Sequence, residues 1–414
     1  MTPVTLIIAG GGGRGTTYAS YAGTYPEQAK VVGVAEPRDF YCQRLVHDHA
    51  IPAKNVYTDW KDLAARPKFA DAVVIATQDA MHVEPAIAFA AKGYDILLEK
   101  PMAPDLKGCQ AIYEAVQGKP IIFAVCHVMR YTTYTKALKK LLDGGAVGEI
   151  VSLQHLEPVG YWHQAHSFVR GNWSNEKVSS FMLLTKSCHD MDWIRYIIGS
   201  PCKSVSSFGN LKHFRKDQKP AQAGEAKRCL DCDYEPNCPY SAKKIYIGRL
   251  LAGDTGWPVD VVSYDTSLAA LTEALRTGPY GRCVYECDND VVDHQVVNML
   301  FEGGQTAVFT MTAFNQAAHR KTRIFGTLGE IEGDGEVIKV FDFLTDKTRI
   351  IDTRQEAALS GHGGGDEGLM AAFVQAVASR DPRFVLSGPE VSLESHKIDF
   401  LAEQARREHR VIDL

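Results

Sequence analysis

The chain has 414 residues, a formal net charge of −5 and a hydrophobic fraction of 45%. That length predicts two or three domains with an ample buried core. The negative balance argues against a general nucleic-acid binder, and no apolar run is long enough to cross a bilayer. The first apolar stretch begins too early to leave room for a signal peptide, so a cytoplasmic location is expected. The ten cysteines are then expected as thiols or metal ligands rather than disulfides.

Residues 4–8 read as a short strand buried on both faces of a parallel sheet. The chain then turns through Gly10, Gly11, Gly12, Gly13, Arg14 and Gly15 and enters a helical pattern at Thr16. Gly10, Gly12 and Gly15 fit G-x-G-x-x-G. The first permits a tight bend, the second admits a pyrophosphate, and the third lets helix and strand pack closely. Gly13 and Arg14 stand at a helix N-terminus, whose free N–H groups and positive dipole end suit phosphates. A second strand over residues 30–35 ends in Glu36, at about the 20-residue offset where a carboxylate meets a ribose 2′-hydroxyl. Glu36 favours NAD, because a carboxylate repels a 2′-phosphate. Arg38 keeps NADP open, either by pairing with that phosphate or by stacking on adenine.

Further on, the pattern predicts a helix over 40–49, a short strand with a turn of helix over 56–63, and a strand over 71–76. A helix over 82–92 and a strand over 94–98 follow, the strand running into Glu99-Lys100-Pro101. A helix over 106–117 and a strand over 120–125 complete a doubly wound parallel sheet within residues 1–130. Ligands in such sheets sit beyond the carboxyl ends of the strands, which adds Thr77, His82, Glu99 and Lys100 to the cofactor-binding candidates.

EKPMA at residues 99–103 resembles the signature of the glucose–fructose oxidoreductase / inositol dehydrogenase (Gfo/Idh/MocA) family. The order of motifs is similar too: glycine turn, IATQDAMH at 75–82, EKP, then H-D-x-D at 189–192. The resemblance implies an N-terminal Rossmann domain and a C-terminal α/β domain with a large open, mainly antiparallel sheet. It also implies that this sheet covers the nicotinamide and often forms an interface between copies, so a homo-oligomer is expected.

In the second domain, residues 131–414, a helix over 134–142 closes at Asp143-Gly144-Gly145. Residues 149–157 alternate as a strand. Residues 162–173, rich in His, aromatics and Arg, read as a loop over a site. Residues 182–199 read as an amphipathic helix, and residues 208–262 as an insertion. Strand-like alternation returns over 291–300, 306–314 and 322–327, followed by a strand pair over 330–341 and 347–352. GHGGGDEG at 361–368 reads as a mobile-looking glycine loop, leading to helices over 369–379 and 390–409.

Hydride removal from a carbinol carbon needs a base near the hydroxyl, something to steady the developing charge, and a fixed distance to the nicotinamide. Lys100 suits the second task. Beside a cationic nicotinamide its neutral form is favoured, so it can also accept the proton, and Pro101 restricts its backbone. The bland alternative is a surface lysine. His189 is the second catalytic candidate, since imidazole passes protons near neutrality, and it shares a helical face with Thr185. The family pattern D-x-x-x-H aligns its Asp with Thr185, which cannot act as a carboxylate, and Lys186 is an added charge that could enter the site. Asp190 and Asp192 read as helix-surface or supporting groups. Tyr131, His163, His166, Arg170, Trp173 and Thr185 are the substrate-binding candidates. Their aromatic faces suit sugar C–H faces, and the cationic groups suit an anionic sugar. Each has a plain alternative as loop packing.

Cys229-x2-Cys232-x5-Cys238 has spacing that suits a structural zinc site, with Cys202, His213, Cys283 or Cys287 as a fourth ligand. Metal-free thiols are the alternative. The leading functional expectation is an NAD-dependent oxidoreductase acting on a secondary hydroxyl of a sugar, polyol or glycoside. The alternative is an NAD-dependent glycoside hydrolase working by transient oxidation, elimination, water addition and re-reduction. A regulatory binding protein on a dehydrogenase scaffold is the third reading.

Overall fold

The structure is a computed structural model and describes residues 2–354 and 362–414. Six parallel strands form the first sheet: β1 (Val4–Ala9), β2 (Ala29–Ala35), β3 (Val56–Tyr57), β4 (Ala72–Ile75), β5 (Asp95–Leu98) and β6 (Phe123–Val125), in the order β3-β2-β1-β4-β5-β6. β4 and β5 are buried along their whole length, as the unbroken apolar runs predict for a sheet covered on both faces. The order reverses between β2-β1 and β4, which opens a crevice beyond the carboxyl ends of β1 and β4.

Nine strands form the second sheet: β7 (Ile150–Pro158), β8 (Cys202–Asn210), β9 (His294–Phe301), β10 (Thr306–Thr312), β11 (Lys321–Gly326), β12 (Gly329–Gly333), β13 (Val337–Asp342), β14 (Lys347–Asp352) and β15 (Ile412–Asp413). Their order is β14-β13-β12-β11-β7-β10-β9-β8-β15, and every pair is antiparallel except β7 with β10. The stretch 330–341, read as a single strand, is a hairpin folded at Gly335 with φ +89°. β8 and β15 were not anticipated, because their short and mixed stretches carry no clear alternation.

One face of the second sheet packs on the helix Met182–Ile198, of which fourteen residues are buried. The helix Pro389–Glu408 lies across both layers, placing Leu393 in the core of the first sheet and Ile398, Ala402 and Ala405 in that of the second. The helix Gly365–Ser379 starts four residues earlier than the sequence pattern predicts, and part of the glycine loop read at 361–368 lies outside the described residues. Leu369, Met370, Phe373 and Val374 pack into the core around β1 and β2, so a boundary at residue 130 does not separate the packing. The chain leaves the sheet after Asn210 and rejoins it at His294, a longer excursion than the predicted 208–262. This excursion has its own core around Phe214, Tyr240, Tyr246, Leu271 and Tyr285. Among the described residues, no helix is long and apolar enough to cross a membrane.

Candidate active site

The glycine turn is built for close approach. Gly10 has φ +95°, and a side chain there would meet Ala76 O at 2.5 Å. A Cβ on Gly15 would lie 2.0 Å from Gly10 O, so helix and strand touch at backbone distance. The helix Gly13–Thr24 has no side-chain cap, and a Cβ on Gly13 would meet nothing within 4 Å. Uncapped N–H groups over open space fit a pyrophosphate. Glu36, buried at the end of β2, accepts Gly11 N at 2.7 Å. It also accepts Arg38 N at 2.9 Å, Nε at 2.7 Å and Nη2 at 3.0 Å. Burial works against its charge, but the Arg38 bonds prevail and hold the carboxyl below the usual range. Arg38 leans over the turn, its Nη2 only 2.9 Å from where a Gly12 Cβ would stand. It fills acceptor positions on Glu36 that a ribose diol would use, and would have to swing aside to admit one.

Arg14 does not reach outward. Its Nε donates to Glu99 Oε1 at 2.6 Å, and its Nη2 bonds Tyr18 OH and Asp366 Oδ1. The turn is thereby tied to the end of β5 and to the helix Gly365–Ser379. Glu99 also accepts Tyr18 OH at 2.8 Å. Burial opposes its ionisation, yet Arg14 and Lys100 keep its carboxyl below the ordinary value.

The segment after β5 is held from several sides. Lys100 N donates to Glu99 Oε2, and the Lys100–Pro101 peptide is cis. The buried His82 ring lies 2.8 Å from Pro101 O and 3.1 Å from Thr77 O, and Met102 N donates to His396 Nε2 at 2.9 Å. His82, read as a cofactor contact, is therefore a staple between the loops after β4 and β5, and Thr77 spends its hydroxyl on Met81 O. With its backbone pinned, the Lys100 amine reaches across the crevice and donates to Thr185 O at 2.9 Å.

Thr185 and His189 sit one turn apart on the helix Met182–Ile198, so His189 stands beside the carbonyl that holds Lys100. The Thr185 hydroxyl bonds back to Phe181 O and Met182 O at 3.3 and 3.4 Å, a local bond within the helix. The His127 ring lies 6.2 Å from that of His189 and 5.4 Å from that of His396. Burial, only partly offset by Asp192, pushes His127 down to about 3, so it is neutral.

Lys186 enters a charged network rather than solvent. Its Nζ lies 3.2 Å from Glu157 Oε1, while Arg320 Nε sits 2.8 Å from Glu157 Oε2 and 2.7 Å from Asp190 Oδ1. His155 Nε2 is 3.1 Å from the same Asp190 oxygen. The contact from Arg320 to Glu157 is ionic and poorly directed as a hydrogen bond. Asp190 and Asp192 are buried, contrary to a helix-surface reading. Burial opposes the Asp190 charge, but Arg320 and His155 hold the carboxyl low. Asp192 accepts both Nε and Nη2 of Arg130 at 2.7 and 2.6 Å.

Several substrate candidates lie elsewhere. Tyr131 is buried and spends its hydroxyl on Ser387 and Leu386 N. His166 and Arg170 belong to a buried helical segment, Gln164–Arg170, and not to an open loop. His166 Nδ1 is 3.0 Å from Tyr246 OH, and Arg170 donates to Arg282 O and Tyr240 O, both at 2.8 Å. Both turn into the core of the excursion because its aromatic rings supply the burial there. His163 stands nearer the charged network. Burial first, then Lys186, push it well below its ordinary value. Trp173 is partly exposed, with its ring 6.2 Å from Phe168.

Cys229, Cys232 and Cys238 line one small cavity together with Cys283, Arg170 and Arg228. No group of three or more His, Cys, Asp or Glu among the described residues is arranged to hold a metal, so the expected zinc site is not supported. Burial raises the Cys283 thiol and pushes Cys238 up to about 11. Of the other proposed ligands, Cys202 lies on β8, and the His213 ring is engaged by Tyr285 OH at 3.1 Å. Cys287 Sγ donates to Cys283 O.

Sequence reasoning missed Glu157, Arg320 and Asp366. Glu157 is the penultimate residue of β7 and Arg320 immediately precedes β11, and neither carries a motif. Asp366 alone had a visible signal, as an acidic residue inside a glycine-rich stretch.

A dinucleotide-type Rossmann sheet facing a second open sheet, with a lysine fixed between them, defines a nucleotide-dependent oxidoreductase fold. A family model described as "Oxidoreductase family, NAD-binding Rossmann fold" matches residues 4–127, and "Oxidoreductase family, C-terminal alpha/beta domain" matches residues 139–412. The chain belongs to the Gfo/Idh/MocA oxidoreductase family. It is 23% identical to the putative oxidoreductase YteT of Bacillus subtilis over 72% of this chain and 71% of that one. It is 30% identical to levoglucosan dehydrogenase of Pseudarthrobacter phenanthrenivorans, over 42% of this chain and 43% of that one. It is 28% identical to 2,7-anhydro-N-acetylneuraminate hydratase of Escherichia coli, over 37% and 40%. A solved levoglucosan dehydrogenase in complex with NADH and levoglucosan shares the fold with a TM-score of 0.72 at 18% identity, covering 99% of both chains.

Proposed function

We infer that the protein is an NAD-dependent oxidoreductase that removes a hydride from a secondary hydroxyl of a sugar, polyol or glycoside. The observation that carries this reading is the Lys100 amine, fixed at the end of β5 and aimed at the helix of Thr185 and His189. The nicotinamide, when bound, supplies the hydride acceptor. The residues that would hold the nucleotide are Gly12, Gly13 and the N–H groups of the first helical turn, with Glu36 on the ribose. Lys100 would exchange its bond to Thr185 O for the substrate hydroxyl, steady the developing alkoxide and take its proton. His189 would pass that proton on. The buried carboxylate of Glu36 supports NAD over NADP.

The charges favour an uncharged substrate. Lys186 is paired with Glu157, Arg320 with Glu157 and Asp190, and Arg170 is turned into the excursion. His163 and His166 are kept neutral by burial. The Lys100 amine, for its part, is committed to the reacting hydroxyl in this reading.

A second reading, the redox-neutral glycoside hydrolase, is favoured by the likeness to two proteins named 2,7-anhydro-N-acetylneuraminate hydratase. One experiment separates the two. The purified chain is assayed with neutral and acidic glycosides, and NADH and free sugar are followed together. A dehydrogenase accumulates NADH in step with product, whereas a hydrolase releases sugar with catalytic NAD and no net NADH. Neither signal with any glycoside, polyol or sugar would sink both. The outer face of the second sheet exposes Phe208, Leu300 and Val308, and this supports a homo-oligomer paired through that face.

A further inference from the structure

The long excursion between β8 and β9 touches the nucleotide crevice at its adenosine end. The Tyr264 ring stacks on Phe40 at 4.6 Å with 19° between planes, and meets the Tyr41 edge at 5.3 Å. Arg38 lies 4.3 Å over the other partner of that contact, Tyr41. Arg38 in turn is bound to Glu36 and leans over Gly12. A few residues earlier the same segment packs Trp257 against His163 at 4.9 Å and Trp162 at 5.1 Å, on the substrate side. Segment 257–264 thus runs from the substrate face to the adenosine face. Phe40 and Tyr264 are each about half exposed, 49% and 50%, in a stacked pair that burial alone would not hold.

We propose that segment 257–264 is a strap over the nucleotide crevice, in which Tyr264, acting through Tyr41 and Arg38, slows nucleotide exchange. For a nucleotide to leave, Arg38 must move, and Arg38 is backed by a ring that Tyr264 holds. Tyr264 is a positioning residue, since it acts through two others. This inference rests on the nucleotide-dependent reading above.

The test is displacement kinetics on the full chain. Protein loaded with NADH is mixed with excess NAD, and loss of bound-NADH fluorescence is followed by stopped flow. Slow release is expected from the natural protein, release about tenfold faster from Tyr264→Ala, and near-natural release from Tyr264→Phe, which keeps the stack. Hydrogen exchange of segments 38–44 and 257–264 is measured with and without NADH, and protection of both segments together is expected. Equal release rates for Tyr264→Ala and the natural protein, or exchange that NADH does not alter, overturn the strap while leaving the oxidoreductase reading intact. Failure of the natural protein to bind NADH at all overturns both.

Discussion

At the scale of single residues, Lys100 is defined by what surrounds it. Its backbone is pinned through Glu99, His82 and His396, and its amine is delivered to one carbonyl. Lys100→Ala is expected to lower kcat by about 10²–10⁴ and to change the Kd for NADH only a few fold. Unchanged single-turnover hydride transfer would remove Lys100 from the chemistry. On the proposed reading, Glu36→Ala would take away the ribose partner and free Arg38 for a 2′-phosphate. The NAD-to-NADP ratio of kcat/KM should drop roughly tenfold or more. A constant ratio would show that Glu36 does not meet the ribose. Lys100 and the glycines were legible because their motif is local. The partners of Lys186 and Arg14 were not, because Glu157 and Asp366 lie far away in sequence and reach them only through the second sheet and the helix Gly365–Ser379.

At the scale of elements, the turn from β1 into the helix Gly13–Thr24 has no slack. Gly15→Ala drives a methyl into Gly10 O, and backbone cannot retreat as a flexible side chain can. A loss of about 2–3 kcal/mol in stability and of NADH binding is expected, read by urea unfolding and fluorescence titration. Natural stability would mean that helix and strand can slide apart at little cost. Elements with a strong period were placed well from sequence, because buried parallel strands and amphipathic helices write their burial into the chain. The segment 162–173 was misread because a helix buried on all sides by another segment's aromatic rings has no polar face to mark it. His166 and Arg170 carried the same ambiguity, since polar tips look alike whether they face a sugar or a backbone carbonyl.

At the scale of the whole molecule, buried neutral histidines make the fold sensitive to mild acid. Burial drives His127 and His166 down to about 3, and His396 to about 4. The unfolded chain takes up these protons near pH 6.5 while the folded chain does not, so stability is complete above about 6.5 and is lost as pH falls below it. Asp399 acts in the opposite sense, since burial raises its carboxyl and the folded state keeps a proton that the unfolded chain releases near pH 4. The histidines outnumber it, so stability falls as the pH drops from 6 to 4.5. Carboxylates held low by ion pairs, such as Glu99 and Asp192, add their share only below that window. Urea midpoints measured at pH 7.5, 6 and 4.5 check this fall, and equal midpoints at all three would contradict it.

The amino-acid order by itself determined the first sheet, the glycine turn, the acidic end of β2 and the lysine after β5. Each depends on residues within a few positions of one another and on a periodic burial that local chemistry expresses. Only the tertiary structure decided which charges neutralise Lys186 and Arg14, that the cysteines form no metal cage among the described residues, and that the excursion reaches the helix Asp39–His49. Those outcomes depend on contacts between segments tens to hundreds of residues apart. The energy of such a contact comes from mutual desolvation and geometry, which neither segment carries alone.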